Sequence, residues 1–355
     1  MKIRVLLIDK DINYLERIST TVRALYDDKL ELHTFSKVDA ALDAMNNIHI
    51  DVVLVDETVE ISELNISKNI AFAYTCAIPD AEEIRGKDAI CKFQNIERIY
   101  KQILGLYADL DGAVKVARKY EGGTKTVVFT APSGGVGTST VAVACARALA
   151  QTGKKVLYMD LSSYGNCEMF FQGNGQGTFS DVIFALKSRR SNLALKIQSV
   201  MKQDGYGVSY FSAPEVALDM KNLKEQEIVQ LIEEIKVEGI FDFLFIDMEM
   251  VFNGLLDGIL EYIDEFIFVC SGRDIANSKF RRLHETLRVM GNRGELMAQV
   301  PRYLVYNMFS NKMSVRMDDL DIEVIFGVPP FEHATTQMCI TEISKKREIL
   351  SHFMM

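Results

Sequence analysis

The chain has 355 residues, of which 48% are hydrophobic and 25% are charged, and its formal net charge is −9. This length is sufficient for two domains with separate apolar cores, and no apolar run approaches the roughly 20 residues that a membrane helix needs. The negative charge repels polyphosphate backbones, so we expect no nucleic acid partner.

The N-terminal segment MKIRVLLIDKD has only a short apolar run before acidic residues follow. This pattern favours a buried first strand over a secretion signal, so we expect the protein in the cytoplasm. The six cysteines are scattered singly without a C-x-x-C pair, and the five histidines have no metal-ligand spacing. We interpret the cysteines as reduced core residues.

Strand-like and helix-like segments alternate from the start of the chain. IRVLLID, LELHTF, DVVLVD, NIAFAYT and AICKF have strand patterns, and helical patterns run over 13–26, over 38–45 and from 95 to about 120. This alternation predicts a parallel sheet flanked by helices. The stretch between NIAFAYT and AICKF is short and contains Pro79, so we expect its helix to be reduced or missing.

A glycine-containing break, EGGTK, ends the long helical pattern, and strand patterns resume at TVVFTA, VLYMD, FLFID, EFIFVC and YLVYN. We therefore predict a first domain over 1–108, a helix end and linker over 109–124, and a second domain over 125–355. The fold class is α/β, with two doubly wound parallel-sheet domains.

The segment TAPSGGVGTSTVA connects a predicted strand to a predicted helix and has the form of a phosphate-binding loop. Its glycines let the backbone approach a polyphosphate, and the helix that starts near Ser139 presents free N–H groups to the anion. Asp247, at the end of FLFID, is placed to hold Mg²⁺ through water. The alternative is a glycine turn without a ligand, which is our interpretation of GNGQG, where no strand precedes the glycines. The predicted nucleotide contacts are Ser133, Gly134, Gly135, Val136, Gly137, Thr138, Ser139 and Thr140.

These motifs resemble those of the MinD/ParA group of P-loop ATPases, whose loop reads K-G-G-x-G-K-[ST]. Here the loop reads S-G-G-V-G-T-S, with Ser133 in place of the group's signature lysine and Thr138 in place of the usual phosphate-loop lysine. The group's D-x-D motif is D-L-S, so Ser162 replaces the acid that helps position attacking water. The resemblance implies ATP and Mg²⁺ as ligands, with the metal near Ser139, Asp160 and Asp247.

The same resemblance places adenine near Asn307, at the end of YLVYN, and near Pro329 and Pro330 in GVPPFEH. The alternative for these residues is a strand end and a turn. Loss of one lysine removes a charge-assisted hydrogen bond of about 1.5–3 kcal/mol, which weakens ATP binding by roughly 10- to 100-fold. Loss of both cations and of the water-positioning acid predicts very slow or no hydrolysis, so the chain is at most a slow ATPase.

The first half resembles the receiver domain of two-component signalling in VLLIDKD, DVVLVDE, AYTCA and ICKFQ. The resemblance implies a phosphoacceptor site formed by Asp9, Asp56, Thr75 and Lys92. Lys10 replaces the second acid of that family, and its ammonium would compete with Mg²⁺ and could pair with Asp56. We therefore predict a degenerate, receiver-shaped docking module, with a phosphorylation-controlled response regulator as the alternative.

Two further segments carry predictions. Apolar residues recur over 338–355 with basic residues at 345–347, which predicts a terminal helix. We favour packing of this helix on its own domain, and peripheral membrane association stays open as the alternative. The apolar run at 169–171 follows the first switch of the MinD/ParA group, so its side chains are candidate dimer anchors, or else they are buried in the loop.

A degenerate receiver followed by a MinD/ParA-like domain resembles the TadZ/CpaE group of pilus-assembly proteins over nearly the whole chain. This resemblance implies an ATP-binding localisation factor for a Flp-type (tight adherence) pilus secretion system. It would act as a nucleotide-bound homodimer at a cell pole or the inner membrane face and recruit the secretion machinery. The alternative is an active ParA/MinD-like ATPase in which Lys125, Arg281 or a partner supplies the missing cation.

Overall fold

The computed structural model describes residues 2–60, 70–79, 81, 83–108, 110, 123–188 and 193–354. The chain divides into two compact units. The first contains Met1–Val116, Gly175–Gly177 and Phe184–Val200, and the second contains Ala117–Asn174, Thr178–Ile183 and Met201–Met355. Residues 109 and 111–122, which make up most of the predicted linker and the end of the long helical pattern, lie outside the described residues. The predicted domain boundaries therefore stay predictions.

The first unit contains a six-stranded sheet in the order β2-β1-β3-β4-β6-β5. All neighbouring strands are parallel except β5 and β6, which are antiparallel. The five predicted strands are all present. The bounds are β1 Ile3–Ile8, β2 Leu30–Phe35, β3 Val52–Asp56, β4 Ala71–Cys76, β5 Glu83–Ile84 and β6 Lys87–Cys91.

Helices cover both faces of this sheet, which explains the continuous apolar runs VLLI in β1 and VVLV in β3. The helices are α1 Ile12–Leu25, α2 Val38–Asn47 and α3 Ile96–Ala108. Because side chains alternate along a strand, Val5 and Leu7 join one core cluster and Leu6 and Ile8 join the other. The predicted doubly wound arrangement of the first half is confirmed.

A short hairpin replaces the helix that we expected to be reduced between β4 and β6. Strand β5 pairs with β6, and the turn between them places Arg85 and Gly86 at φ values of 53° and 70°. The described residues of 77–86 contain no helix. Pro79, which restricts the backbone and lacks an N–H, lies at the start of this segment.

A later part of the chain completes the first unit. Helices α5 (Phe179–Ser188) and α6 (Leu193–Val200) lie between β8 and β9 in the chain. Helix α6 packs along α3 of the first unit. Leu195 contacts the core cluster that contains the buried residues of α3. Gly105 on α3 faces Ser199, and Nε2 of Gln102 donates to Oε1 of Gln176 at 2.5 Å.

The second unit contains an eight-stranded sheet in the order β14-β13-β12-β7-β11-β8-β10-β9, parallel except for the β9–β10 pair. The five strands predicted in this half are β7, β8, β11, β12 and β13, whereas β9, β10 and β14 were not anticipated. The bounds are β7 Lys125–Thr130, β8 Val156–Asp160, β9 Lys202–Gln203, β10 Ser209–Tyr210, β11 Phe243–Asp247, β12 Glu265–Cys270, β13 Arg302–Tyr306 and β14 Glu323–Gly327.

Helices connect these strands in the manner of a doubly wound sheet. They are α4 Thr138–Ala150, α7 Leu218–Lys221, α8 Glu225–Glu238, α9 Gly254–Ile259, α10 Asp274–Asn292, α11 Thr336–Ser344 and α12 Arg347–Phe353. Residues 141–149 of α4 are all buried, so this helix lies inside the unit. Of the helices in the described ranges, none has both the length and the apolar character that crossing a membrane requires.

The predicted terminal helix consists of the two short helices α11 and α12. Both pack on α4, and α12 also contacts β14. The side chains of Ile340, Ile343, Ile349 and Phe353 are buried. The apolar residues of this segment are therefore used in packing on its own unit, as we favoured from the sequence.

Candidate functional site

The strand order places the predicted site residues of the second unit at one edge of the sheet. Strand β11 lies between β7 and β8, and all three are parallel. Asp247, the last residue of β11, lies opposite Asp160 on β8 and opposite Phe129 on β7. Because the carboxyl ends of parallel strands share an edge, both carboxylates lie beside the glycine loop that follows β7.

The glycine loop has the backbone conformation of an anion cradle. Gly135 and Gly137 have φ values of 73° and 79°, which non-glycine residues rarely adopt, and α4 begins directly afterwards at Thr138. A Cβ atom on Gly135 would meet open space, whereas one on Gly137 would collide with the side chain of Asn307. The first N–H groups of α4 thus face an accessible space above the loop.

Asn307 braces this loop. Its side chain is buried, and Nδ2 donates to the carbonyl oxygen of Val136 at 2.9 Å. The backbone hydrogen bonds of Val328 to Tyr306 and Phe309 hold the start of GVPPFEH beside the end of β13. Pro329 and Pro330 follow at the surface. The structure therefore brings the three predicted adenine residues to one edge, while their contact with adenine stays a prediction.

Asp160 and Asp247 are neighbours whose negative charges repel each other. Burial and the charge of Asp160 raise the pKa of Asp247 to about 7, although hydrogen bonds from Ser139 and Tyr158 oppose this shift. Burial also raises the pKa of Asp160, although its Oδ1 accepts hydrogen bonds from the backbone N–H and the hydroxyl of Ser162. A divalent cation near both carboxylates would favour their ionised forms.

Tyr158 is a site residue that sequence reasoning missed. Its hydroxyl donates to Oδ2 of Asp247 at 2.7 Å, and both side chains are buried. In the sequence Tyr158 is one more apolar residue of the strand VLYMD. Only the pairing of β8 with β11 shows that its hydroxyl reaches the neighbouring strand end.

Glu249 is a second missed residue, two positions after Asp247. Its carboxylate accepts a hydrogen bond from the hydroxyl of Ser163 at 3.1 Å and contacts from the Ser163 N–H at 3.4 Å. Its charge contributes to the raised pKa values of both Asp160 and Asp247. In the sequence, Glu249 is the middle residue of the Met-Glu-Met stretch that follows Asp247.

The cations proposed as substitutes for the missing lysines are engaged elsewhere. Lys125 begins β7, at the opposite end of that strand from the loop, and its Nζ lies 2.9 Å from Oε2 of Glu265. Arg281 on α10 forms a two-contact ion pair with Asp319. Neither side chain is placed to replace a lysine at Ser133 or Thr138.

The residues present fit a phosphate group and Mg²⁺. The loop offers backbone N–H groups, Ser139 offers a hydroxyl, and the two aspartates offer carboxylate oxygens, which are the ligands that Mg²⁺ prefers. Within the described ranges, no group of three or more histidine, cysteine, aspartate and glutamate side chains has a metal-binding arrangement. Phosphate oxygens of a nucleotide would therefore complete the coordination of the metal.

The four residues of the predicted phosphoacceptor site meet in the first unit. Asp56 and Thr75 are opposite each other on β3 and β4, and Nζ of Lys92 lies 2.7 Å from Oδ2 of Asp56 and 2.9 Å from Oδ2 of Asp9. Oδ1 of Asp56 accepts hydrogen bonds from the N–H and the hydroxyl of Thr58. Both oxygens of Asp56 therefore already accept hydrogen bonds from protein donors.

Lys10 does not pair with Asp56, contrary to what its position suggested. Its Nζ donates to the carbonyl oxygen of Thr58 at 3.3 Å, and the ammonium near Asp56 is that of Lys92. Burial alone would raise the pKa of Asp56, but hydrogen bonds from Lys92 and Thr58 outweigh burial and lower it. The carboxylate is thus held in its charged form by Lys92.

Comparison with known families identifies both halves. Residues 1–108 match the family model described as TadZ-like, receiver domain, and residues 124–300 match a model described as AAA domain. The chain therefore has a TadZ-like receiver domain followed by a ParA/MinD-like AAA domain. No curated protein matches the chain.

Solved structures that resemble this chain include ParA and MinD proteins. The ParA family ATPase from Chlorobium tepidum TLS is 17% identical with a TM-score of 0.52, and the alignment covers 65% of this chain and 96% of that protein. MinD from Pyrococcus horikoshii OT3, complexed with Mg-ADP, is 15% identical with a TM-score of 0.50 over 65% and 93% of the two chains. MinD in the MinC:MinD complex of Aquifex aeolicus is 18% identical with a TM-score of 0.50, with 65% and 96% covered. These likenesses confirm a ParA/MinD-type fold.

The candidate dimer anchors of the TadZ-like chain have different environments. Met169 is exposed, whereas Phe171 is buried, stacks on Tyr210 with ring centres 4.9 Å apart and contacts Tyr158. The side chain of Gln337 donates to the carbonyl oxygens of residues 169 and 170. Phe171 is therefore a core residue, and the interpretation of Phe171 as an interface anchor is wrong.

Proposed function

We propose that this TadZ-like chain is an ATP-binding localisation and assembly factor for a Flp-type pilus secretion system, active as a nucleotide-bound homodimer. The observation that carries the proposal is the glycine loop, with Gly135 and Gly137 at positive φ and with Asp160 and Asp247 at the ends of the two neighbouring strands. The family matches support a pilus-assembly role, because the receiver domain that precedes this loop is TadZ-like.

Most of the binding energy comes from the backbone in this proposal. The loop N–H groups and the positive end of the α4 dipole bind the β- and γ-phosphates. Ser139, Asp160 and Asp247 hold the Mg²⁺, which neutralises phosphate charge, and Asn307 with the adjoining proline segment binds adenine. The residues named for these contacts are the ones predicted from the sequence.

Turnover is weak because the phosphate loop has no lysine side chain to stabilise the negative charge that develops in the transition state. Serine and threonine stand at 133 and 138, and the ion pairs of Lys125 and Arg281 keep those cations away. Removal of one donor to a developing negative charge typically lowers a rate by about 10²- to 10³-fold, and two such donors are missing here. ATP therefore acts mainly as a ligand that favours the dimer.

Exposed apolar side chains support the homodimer. The segments that follow β8, β11, β12 and β13 at the nucleotide edge, including the first turn of α10, carry large exposed hydrophobic residues, whereas such residues are normally scattered singly. Tyr164 is the most exposed, at 87%. The others are Met169, Val251, Phe252, Ile275, Met313 and Val315. A second copy placed across the nucleotide edge would cover these residues.

The proposed place of action is a cell pole or the inner face of the cytoplasmic membrane, where the dimer recruits secretion machinery. The net charge of −9 disfavours nucleic acid as a partner. Because the apolar side of the terminal helices is buried, attachment would depend on another protein and not on that helix. The Aquifex aeolicus MinC:MinD complex is an example of a MinD protein with a protein partner.

The test mixes purified protein with Mg²⁺ and ATP and follows binding by calorimetry, mass by sizing with light scattering, and phosphate release. We expect heat of binding, a shift from monomer to dimer mass, and little phosphate. Ser139→Ala should weaken Mg²⁺–ATP binding by about tenfold or more, since it removes a metal-directed hydroxyl, while Ser278→Ala on the exposed side of α10 should not. Absence of binding, or rapid multiple turnover, would contradict the proposal.

A further inference from the structure

The position expected to hold the water-positioning acid of the nucleotide site is occupied by Ser162. Its hydroxyl and N–H both donate to Oδ1 of Asp160, so the side chain is turned toward that carboxylate. A hydroxyl committed as a donor to Asp160 does not polarise a water molecule as a carboxylate would.

A different residue brings a carboxylate to the same edge. After β11, the N–H of Met248 donates to the carbonyl oxygen of Phe129 at 3.2 Å, so the chain still follows β7 toward the glycine loop. Glu249 comes next and its side chain is exposed. Its position between the loop after β7 and the loop after β8 follows from the strand order.

The loop after β8 holds this carboxylate in place. Oε2 of Glu249 accepts the hydroxyl proton of Ser163 at 3.1 Å, and the N–H of Ser163 approaches both oxygens at 3.4 Å. Ser163 directly follows Ser162, so Glu249 is anchored one residue from the position of the missing acid. Asp160 and Asp247 are paired at the ends of β8 and β11, so Ser163, three residues after Asp160, and Glu249, two residues after Asp247, both follow directly from this pair.

We propose that Glu249 is the water-positioning carboxylate of this site and replaces the acid that Ser162 lacks. The inference rests on the proposed function, because it concerns residual turnover of the same bound ATP. Glu249 accepts a hydrogen bond from a water molecule and aims a lone pair of the water oxygen at the γ-phosphorus. As the new P–O bond forms, the bond to the β,γ-bridging oxygen breaks and its electron pair leaves with ADP. The water proton ends on the product phosphate.

The test compares Glu249→Gln, Ser163→Ala and a matched control, Glu261→Gln, which changes an exposed glutamate just before β12, at the opposite edge of the sheet from the two aspartates. Phosphate release is measured in a single turnover with radiolabelled ATP, and affinity is measured by calorimetry. Glu249→Gln should slow release by about 100-fold or more, as expected when a positioned carboxylate is removed. Ser163→Ala should slow it by a smaller factor, and Glu261→Gln should leave it unchanged.

The affinity of Glu249→Gln for ATP distinguishes a role in positioning water from a role in holding the loop structure. Removing a negative charge beside the triphosphate should strengthen ATP binding by about threefold in Glu249→Gln. Equal release rates for Glu249→Gln and wild type, weaker binding by Glu249→Gln, or no release at all from wild type with ATP bound would each overturn the inference. In those cases the proposed function still stands, whereas absence of ATP binding by wild type would instead overturn the proposed function.

Discussion

At the residue scale, the hydrogen bond from Tyr158 to Asp247 is the feature of the nucleotide site that the fold buries most completely. Oδ2 of Asp247 accepts this bond in an environment without solvent, and burial raises the pKa of the tyrosine well above its ordinary value. A buried carboxylate oxygen that loses its donor is destabilised by its incomplete solvation.

We therefore expect Tyr158→Phe to lower the free energy of unfolding by about 1–3 kcal/mol, because one oxygen of Asp247 would lose its donor. The measurement is urea unfolding of the full chain followed by circular dichroism. Tyr262→Phe is a matched control, since the hydroxyl of Tyr262 also donates to a carboxylate, that of Glu233, but at the surface. An equal loss in the two variants would show that the buried bond has no special contribution.

At the element scale, Glu265 ties together three parts of the second unit. It is the first residue of β12 and is buried. Its carboxylate contacts the ammonium of Lys125 on β7 and the imidazole of His352 on α12. Burial alone would raise the pKa of Glu265, but hydrogen bonds from His352 and Lys125 outweigh burial and lower it. A carboxyl group with a lowered pKa in the folded state stabilises the fold above its unfolded pKa of about 4.5.

The lowered pKa of folded Glu265 predicts that the protein loses stability in acid. As the pH falls below about 4.5 and through the lowered pKa of folded Glu265, the stabilising contribution should disappear. Urea midpoints measured across this range should fall in wild type and fall less steeply in Glu265→Gln. Glu332→Gln, at an exposed position, serves as the control and should follow the wild-type slope. Parallel slopes for wild type and Glu265→Gln would refute this account.

The terminal helices give a second prediction at this scale. Ile349 on α12 is fully buried, whereas Met338 on α11 is 56% exposed. Ile349→Ala should lower stability by about 2–5 kcal/mol, because it leaves a cavity in the packed interior, and Met338→Ala should change it by less than about 0.5 kcal/mol. Wild-type protein should also fail to sediment with anionic vesicles. Strong vesicle binding that Ile349→Ala abolishes without loss of stability would contradict packing as the role of α12.

At the scale of the whole molecule, the charge balance makes nucleotide binding depend on metal. The chain has a net charge of −9. Its phosphate loop contains no lysine, and the loop lies beside the two negative side chains of Asp160 and Asp247. Nothing in the loop other than N–H dipoles offsets the charge of a triphosphate. Chelation of Mg²⁺ with EDTA should therefore weaken ATP binding by about 100-fold or more in calorimetry, and excess Mg²⁺ should restore it. Similar affinities with and without metal would disprove this dependence.

Much of the fold was predictable because its signals are local in the sequence. Apolar runs such as VLLI and FLFI indicate strands that are covered on both faces. The glycine loop is recognisable from its own sequence, because it stands between a strand pattern and a helix pattern. The hairpin of β5 and β6 was predictable only as the absence of a helix, since short strands with exposed residues have little apolar pattern. Strands β9 and β10 were missed because they have only two residues each, and β14 was missed because residues at both of its ends are exposed.

The amino-acid sequence by itself determined that the chain has two α/β halves, a glycine loop and an acid at the end of each relevant strand, because these depend on neighbouring residues. Tertiary structure alone decided that Tyr158 reaches Asp247, that Glu249 is held by Ser163, and that Lys125 and Arg281 pair with Glu265 and Asp319. These pairings depend on which strands lie side by side, and strand order arises from contacts between residues far apart in the chain.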